Sequence, residues 1–255
     1  MRIRILGCSG GIGLGLRTTS ILVDQSILID AGTGVGDMTI GELKGIRHVF
    51  LTHSHLDHIA GLPLFLDSVF DDLVGNPITV HARAETIDAL RTHVFNGVVW
   101  PDFEALPSAD NAVLKFATIA PGDRIELEQC IFRAVDVHHS VPSLGYCIER
   151  DDRVFAFSGD TMTNASLWTV LNDYPQLHTL IMEVSFPDQQ AELAMKAGHY
   201  TPSSLAADLA KLRHAPEIWV TAMKPGSEDE IFAEVLRALP GRFVKRLHRG
   251  DVFDM

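Results

Sequence analysis

Cysteine, basic charge and long apolar runs are all scarce in this chain, and each shortage removes a class of function. Cys8, Cys130 and Cys147 are the three thiols among 255 residues. With no Cys-x-x-Cys and no paired spacing, they exclude a disulfide framework and a thiolate zinc site, and read as buried free thiols in a reducing compartment. Lysine and arginine number 21 against 33 acidic residues, a formal charge of -12. That balance suits a polyanion such as tRNA poorly unless basic groups gather locally. The one gathering, Lys245, Arg246, His248 and Arg249, reads as a solvated strand end. No apolar stretch has transmembrane length, and Met1-Arg2-Ile3-Arg4-Ile5-Leu6 enters an alternating strand pattern without signal-peptide features. The expectation is a cytoplasmic protein with no membrane partner. A Gly-Lys-Ser/Thr step is missing from the glycine-rich residues 7–15, and no Gly-x-Gly-x-x-Gly leads into a helix there, so both nucleotide-binding fingerprints are excluded. Two readings of that loop stay open: backbone passing close to a pocket, or a flexible turn.

What is present is an ordinary core-forming composition, 46% hydrophobic and 21% charged, read as one domain over residues 1–255. Its densest chemistry is Thr52-His53-Ser54-His55-Leu56-Asp57-His58, three imidazoles and a carboxylate within six positions. The apolar run 48–51 before it reads as a buried strand, and residues 59–63 after it as a turn into a helix. In extended chain His53 and His55 point to the same side, while Asp57 and His58, past the turn, aim at a second point close by. Neutral imidazoles suit zinc and iron and a carboxylate admits manganese, so the pattern predicts a two-metal site. Asp30, at the end of the strand pattern 27–30, either orients a ligating histidine or caps a turn.

Further along, strands are predicted at 2–6, 18–30 and 78–82, helices at 60–70 and 84–95, and successive strands from 113 to 160. Two of these strands end in metal-ligand types: His138-His139, with His139 the ligand and His138 supporting it or buried, and Asp160 in Ser158-Gly159-Asp160. Alternating elements follow: helix 166–172, strand 179–183, helix 203–212, strand 218–221, helix 228–239 and strand 243–247. Sheets and helices in one repeating order imply an α/β fold, two sheets face to face with helices outside. The aromatic stretch around Trp100 and Phe103 reads as a core plug under a loop, or as a pocket wall that stacks a planar group.

His53, His55, Asp57 and His58 meet the His-x-His-x-Asp-His motif, and over essentially its whole length the chain resembles the metallo-β-lactamase superfamily. The resemblance implies a four-layer αββα sandwich and two divalent metals, zinc first, with manganese or iron as alternatives. It assigns His53, His55, His139 and Asp160 to one metal and Asp57, His58 and Asp160 to the other, with Asp57 also in the catalytic set. The family supplies a further histidine where this chain has Ala222, which weakens the second site.

Within the superfamily the sequence looks most like class II 3′,5′-cyclic-nucleotide phosphodiesterases, through residues 53–62 and the segment 95–101. The implied reaction is hydrolysis of a cyclic nucleotide to the 5′-monophosphate by a metal-bound hydroxide, with His199 as general acid and Glu183 keeping it protonated. His199 as a plain helix-start residue is the alternative. The implied partner is a small phosphodiester rather than a nucleic-acid polymer, and a homodimer is compatible with this. Three rivals stand. One is a tRNase Z-like nuclease, disfavoured because residues 147–157 leave no room for an inserted tRNA-gripping arm. Another is an ester, lactone or thioester hydrolase. The third is a metal-binding protein impaired by Ala222.

Overall fold

Apolar runs sort the strands of this computed structural model, which describes residues 1–255, into two seven-stranded sheets, one in each of two compact units. The first unit comprises Met1–Cys8, Arg17–Ala120 and Arg249–Asp254. Its strands are β1 (Arg2–Gly7), β2 (Ser20–Val23), β3 (Ile27–Ile29), β4 (His48–Phe50), β5 (Ile78–Ala82), β6 (Leu114–Thr118) and the C-terminal strand Val252–Asp254, which edges the sheet beside β1. The strand predicted over 18–30 divides into β2 and β3, because Asp24 takes a left-handed φ of 51° and reverses the chain. From β3 to β6 the pairing is parallel, so residues leaving β3 and β4, Asp30 and the histidine motif, emerge at one end of the sheet.

The helix predicted over 60–70 is Gly61–Ser68, and a separate short helix, Leu56–Ile59, comes before it, so Asp57 and His58 already lie in helix. Leu62, Phe65 and Leu66 turn into a core shared with Leu28, Val49 and Val80. Phe103 belongs to that core as well. It is 2% exposed, and its ring sits 5.5 Å from Phe70 and 5.9 Å from Phe95. Trp100 packs against the same cluster, partly buried. Of the two readings of this stretch, the core plug describes Phe103, since a ring enclosed on all sides offers no face to a ligand.

The second unit comprises Ser9–Leu16, Pro121–His248 and Met255. It holds β7 (Arg124–Leu127), β8 (Cys130–Val137), β9 (Ser143–Arg150), β10 (Arg153–Phe157), β11 (Thr179–Glu183), β12 (Glu217–Thr221) and β13 (Val244–Arg246), ordered β13-β12-β11-β10-β9-β8-β7. β7 to β10 form antiparallel hairpins and β10 to β13 run parallel. β11 is buried along its whole length, as expected of a parallel strand covered on both faces. With β8, β10, β11 and β12 pointing the same way, His139, Asp160, Glu183 and Ala222 all fall at one end of this sheet, the usual place for sites in α/β folds.

Helices Ser166–Asp173, Pro202–Leu209 and Glu228–Ala238 supply Trp168, Leu171, Leu205, Leu209, Ile231 and Val235 to the unit's core. One buried carboxylate ties three of these neighbours together. Asp208 accepts hydrogen bonds from the Tyr200 hydroxyl at 2.7 Å, Trp168 Nε1 at 3.1 Å and the Asn164 backbone at 3.1 Å. Tyr200, fully buried, thereby anchors the turn that carries His199. No helix of the chain is long and apolar enough to cross a membrane.

Candidate metal centre and active site

In the first unit the motif leaves β4 as extended chain and turns into helix at Leu56, with His55 as its N-cap. The His53 ring lies 4.6 Å from that of His55 and 4.2 Å from that of His58, while Asp57 Oδ2 sits 3.9 Å from His58 Nε2. Asp30 orients the group from beneath. Fully buried and left-handed with φ 56°, it accepts His58 Nδ1–H at 2.6 Å, the Thr52 backbone N–H at 2.8 Å and the Thr52 hydroxyl at 2.8 Å. Burial pushes the Asp30 carboxyl above the usual carboxylate range, against the pull of the His58 imidazole and the Thr52 donors. The orienting role, one of its two predicted roles, is the one its contacts describe.

These bonds fix the tautomers. The single Thr52 hydroxyl proton goes to Asp30, so Thr52 Oγ1 accepts from His53 Nδ1 at 3.0 Å, and His53 carries its lone pair on Nε2. His58, donating through Nδ1 to a carboxylate, does the same. Metal-binding histidines are typically held this way, one ring nitrogen fixed by a hydrogen bond and the other serving as ligand.

In the second unit His139, Asp160 and His199 bring their ligand atoms within 4.8 Å of one another. His139 Nδ1 donates to the Gly198 carbonyl at 2.8 Å, which again leaves the lone pair on Nε2. Predicted as support or core, His138 has an exposed side chain, and it contributes its backbone carbonyl, which accepts Met162 N–H at 2.7 Å and the Thr161 hydroxyl at 3.1 Å. His199 Nδ1 lies 3.0 Å from Glu183 Oε1 and 4.0 Å from Asp160 Oδ2. Burial draws the His199 pKa down, but the Glu183 charge and hydrogen bond, helped by Asp160, outweigh it and raise the pKa above the ordinary histidine value. Glu183, fully buried, is held as an acceptor by the Thr161 and Tyr200 N–H groups and by the Ser185 hydroxyl.

The donor types present fit a divalent cation of the zinc, iron or manganese kind: imidazole nitrogens held by hydrogen bonds through the other ring nitrogen, beside carboxylates. At position 222 a methyl group replaces any donor. Ala222 is buried with a left-handed φ of 61°, and its carbonyl accepts the Ser185 hydroxyl at 3.0 Å. A Cβ on Gly10 would come within 2.1 Å of that carbonyl oxygen, which accounts for one glycine of the 7–15 loop as a close backbone approach. Lys224 Nζ reaches the Gly10 carbonyl at 3.0 Å.

Sequence reasoning did not pick out Thr52, Gly198 or Ser185. Thr52 directly precedes the motif and Gly198 precedes His199, so adjacency was a signal for both. Ser185 had none, since its importance lies in bridging Glu183 and the Ala222 carbonyl across strands.

The family model for the beta-lactamase superfamily domain matches residues 25–221. A probable 3′,5′-cyclic-nucleotide phosphodiesterase of Yersinia pestis is 29% identical over 188 residues, covering 66% of this chain and 52% of that protein. A ribonuclease Z of Halorubrum lacusprofundi is 29% identical over 160 residues, covering 60% of this chain and 49% of that protein. The chain thus spans about half the length of these curated relatives. Among solved structures, unliganded yeast PDE1 superposes with a TM-score of 0.82 at 19% identity, over 98% of each chain. That likeness shows the fold, the α/β sandwich expected from the sequence. The chain belongs to the beta-lactamase superfamily and has the metallo-β-lactamase fold, a fold that implies divalent-metal binding.

Proposed function

We propose that the two units act as one catalytic domain, a metal-dependent phosphodiesterase that opens 3′,5′-cyclic nucleotides to nucleoside 5′-monophosphates. In this reading one metal is held by His53, His55, His139 and Asp160, and the other, more weakly for want of a donor at Ala222, by Asp57, His58 and Asp160. Such cations would supply Lewis acidity, making a water acidic enough to attack near neutral pH and drawing charge from the phosphoryl oxygens. The remaining work falls to the chain. His199 gives its proton to the departing 3′ oxygen, Glu183 keeps that proton in place before the reaction, and Asp30 and Gly198 hold His58 and His139 in their ligating orientation.

The observation that carries the reading is the His199–Glu183 pair beside Asp160, an acid held charged next to a ligand carboxylate. Relatives named as cyclic-nucleotide phosphodiesterases support the substrate class. Relatives named ribonuclease Z keep a second reading alive, a tRNase Z-like nuclease. Against it, β9 and β10 are joined through Asp151 and Asp152 alone, which leaves no arm at that hairpin to grip a large RNA. Purified protein should be assayed with cyclic AMP, a precursor tRNA, bis-nitrophenyl phosphate and a lactone after loading with zinc, manganese or iron. Turnover of cyclic AMP is expected. Cleavage of precursor tRNA without cyclic AMP turnover would replace the reading with the nuclease, and turnover of the lactone alone would replace it with an esterase.

A further inference from the structure

A cavity of about 340 Å³ opens beside His199, with the imidazole as part of its wall. It lies between helix Ala191–Ala197, which contributes Ala191, Ala194 and Met195, the loop that contributes Met162, and the start of helix Pro202–Leu209. None of its eight lining residues is an Asp, Glu, Lys or Arg. The hydroxyls of Thr201 and Ser204 at its edge are committed to each other's backbone in a reciprocal capping box. Apart from His199 and the exposed hydroxyl of Thr163, the walls therefore offer methyl, methylene and thioether surface. A phosphate seated among these methyl and thioether groups, away from His199, would lose its hydration with nothing to replace it, which is strongly unfavourable.

We propose that this cavity seats the nucleobase of the substrate, so that the neutral ring system rests against Met162 and Met195 while the phosphate lies with the histidines and carboxylates. The inference rests on the phosphodiesterase reading, in which His199 protonates the 3′ oxygen, and it extends that reading to a base-binding subsite. Three features support it. The volume falls in the range of roughly 300–1,000 Å³ typical of small-molecule sites. Methionine sulfur makes favourable contacts with aromatic rings and adapts to their shape, which suits a flat heterocycle without demanding one particular base. Finally, His199 is shared between the cavity wall and the acid–carboxylate pair, so a ring seated there adjoins the group that protonates the leaving oxygen. Beyond His199 the cavity has no cation to track a second phosphate, a polymer-binding requirement.

The test uses the whole chain with its methionine methyl groups carbon-13 labelled, titrated with adenosine, which has no phosphate and so reports on the cavity whether or not metals are bound. The methyl resonances of Met162 and Met195 should shift saturably, and Ala191→Trp, which fills the mouth from an exposed helix position, should abolish the shift. Met195→Ala, an exposed truncation that guards against misfolding of the tryptophan variant, should weaken adenosine binding several-fold. In turnover, Ala191→Trp should raise KM for cyclic AMP about tenfold with kcat within about twofold, the mark of lost uniform binding. Unmoved methyl signals with adenosine, or shifts produced instead by a hexanoyl amide, would overturn the subsite. Failure of wild-type protein to hydrolyse cyclic AMP would by contrast strike the phosphodiesterase reading, while the adenosine titration still decides whether the cavity takes a base.

Discussion

His139 Nδ1 donates to the carbonyl of Gly198 at 2.8 Å, and Gly198 can stand there only because it has no side chain. Its φ is +78°, and a Cβ would come within 2.9 Å of that same nitrogen. Gly198→Ala should therefore strain the helix C-cap and push the imidazole from its orientation. The left-handed backbone alone costs roughly 1–2 kcal/mol, and loss of an orienting partner typically lowers metal affinity about 10–100-fold. Calorimetric metal titration beside thermal unfolding would separate the two. A fall in stability with unchanged metal affinity would remove Gly198 from the site.

The partner of His199 sets its working range. A general acid must be protonated, so activity should decline as pH rises through the His199 pKa, which Glu183 holds above the ordinary histidine value. In Glu183→Gln the negative charge is gone, and the decline of kcat/KM on the alkaline side should begin at lower pH. The pH–rate profile of the variant checks this. An unshifted alkaline limb would mean that His199 is not the group being read.

Acid sensitivity should trace in part to His81. Burial, then the neighbouring His48 imidazole at 3.1 Å, pull its pKa down from 6.5 to about 4. The unfolded chain thus binds a proton that the folded chain refuses. The associated stability is fully present above pH 6.5 and is lost progressively as pH falls toward 4, at most about 3 kcal/mol. His81→Phe keeps the stacking on Phe50, whose ring lies 4.4 Å away, and should flatten the dependence of urea midpoint on pH across that window.

Restoring a donor at position 222 should strengthen the second metal. The φ of 61° at Ala222 is a region histidine occupies more readily than most residues, so Ala222→His is expected to fold. Metal content measured by elemental analysis should rise from about one toward two per chain, with turnover rising alongside. Unchanged stoichiometry and rate would assign the site a single metal.

Phe103, enclosed by Phe70 and Phe95, should matter to stability and not to substrate. Phe103→Ala is expected to cost about 3–5 kcal/mol, with KM unchanged at a temperature where the variant stays folded. A raised KM at intact stability would restore it to the substrate pocket.

The histidine motif was legible because all four of its groups lie within six residues, and local geometry alone forces them together. Strands β10, β11 and β12 were legible as apolar runs and β8 as an apolar-rich strand broken by Arg133 and Asp136, and the ligand types ending two of them stood out at those strand ends. The hairpin inside 18–30 was not, since Ser20–Val23 and Ile27–Ile29 are both fully buried and the reversal rests on Asp24 and its neighbours. Neither was the strand Val252–Asp254, three residues long and defined by its pairing with β1.

By itself the amino-acid order determined the chemistry available: imidazoles and carboxylates at strand ends, and three cysteines without paired spacing. Those are properties of residue type and of periods of two and 3.6, which a chain carries before it folds. The tertiary structure decided what each group is paired with. It set Asp30 under His58, Glu183 against His199 and the Gly198 carbonyl on His139, partners 28, 16 and 59 residues apart in the chain. Parallel pairing in each sheet brings such distant residues to one end, and only there do burial and hydrogen bonding fix tautomer and pKa.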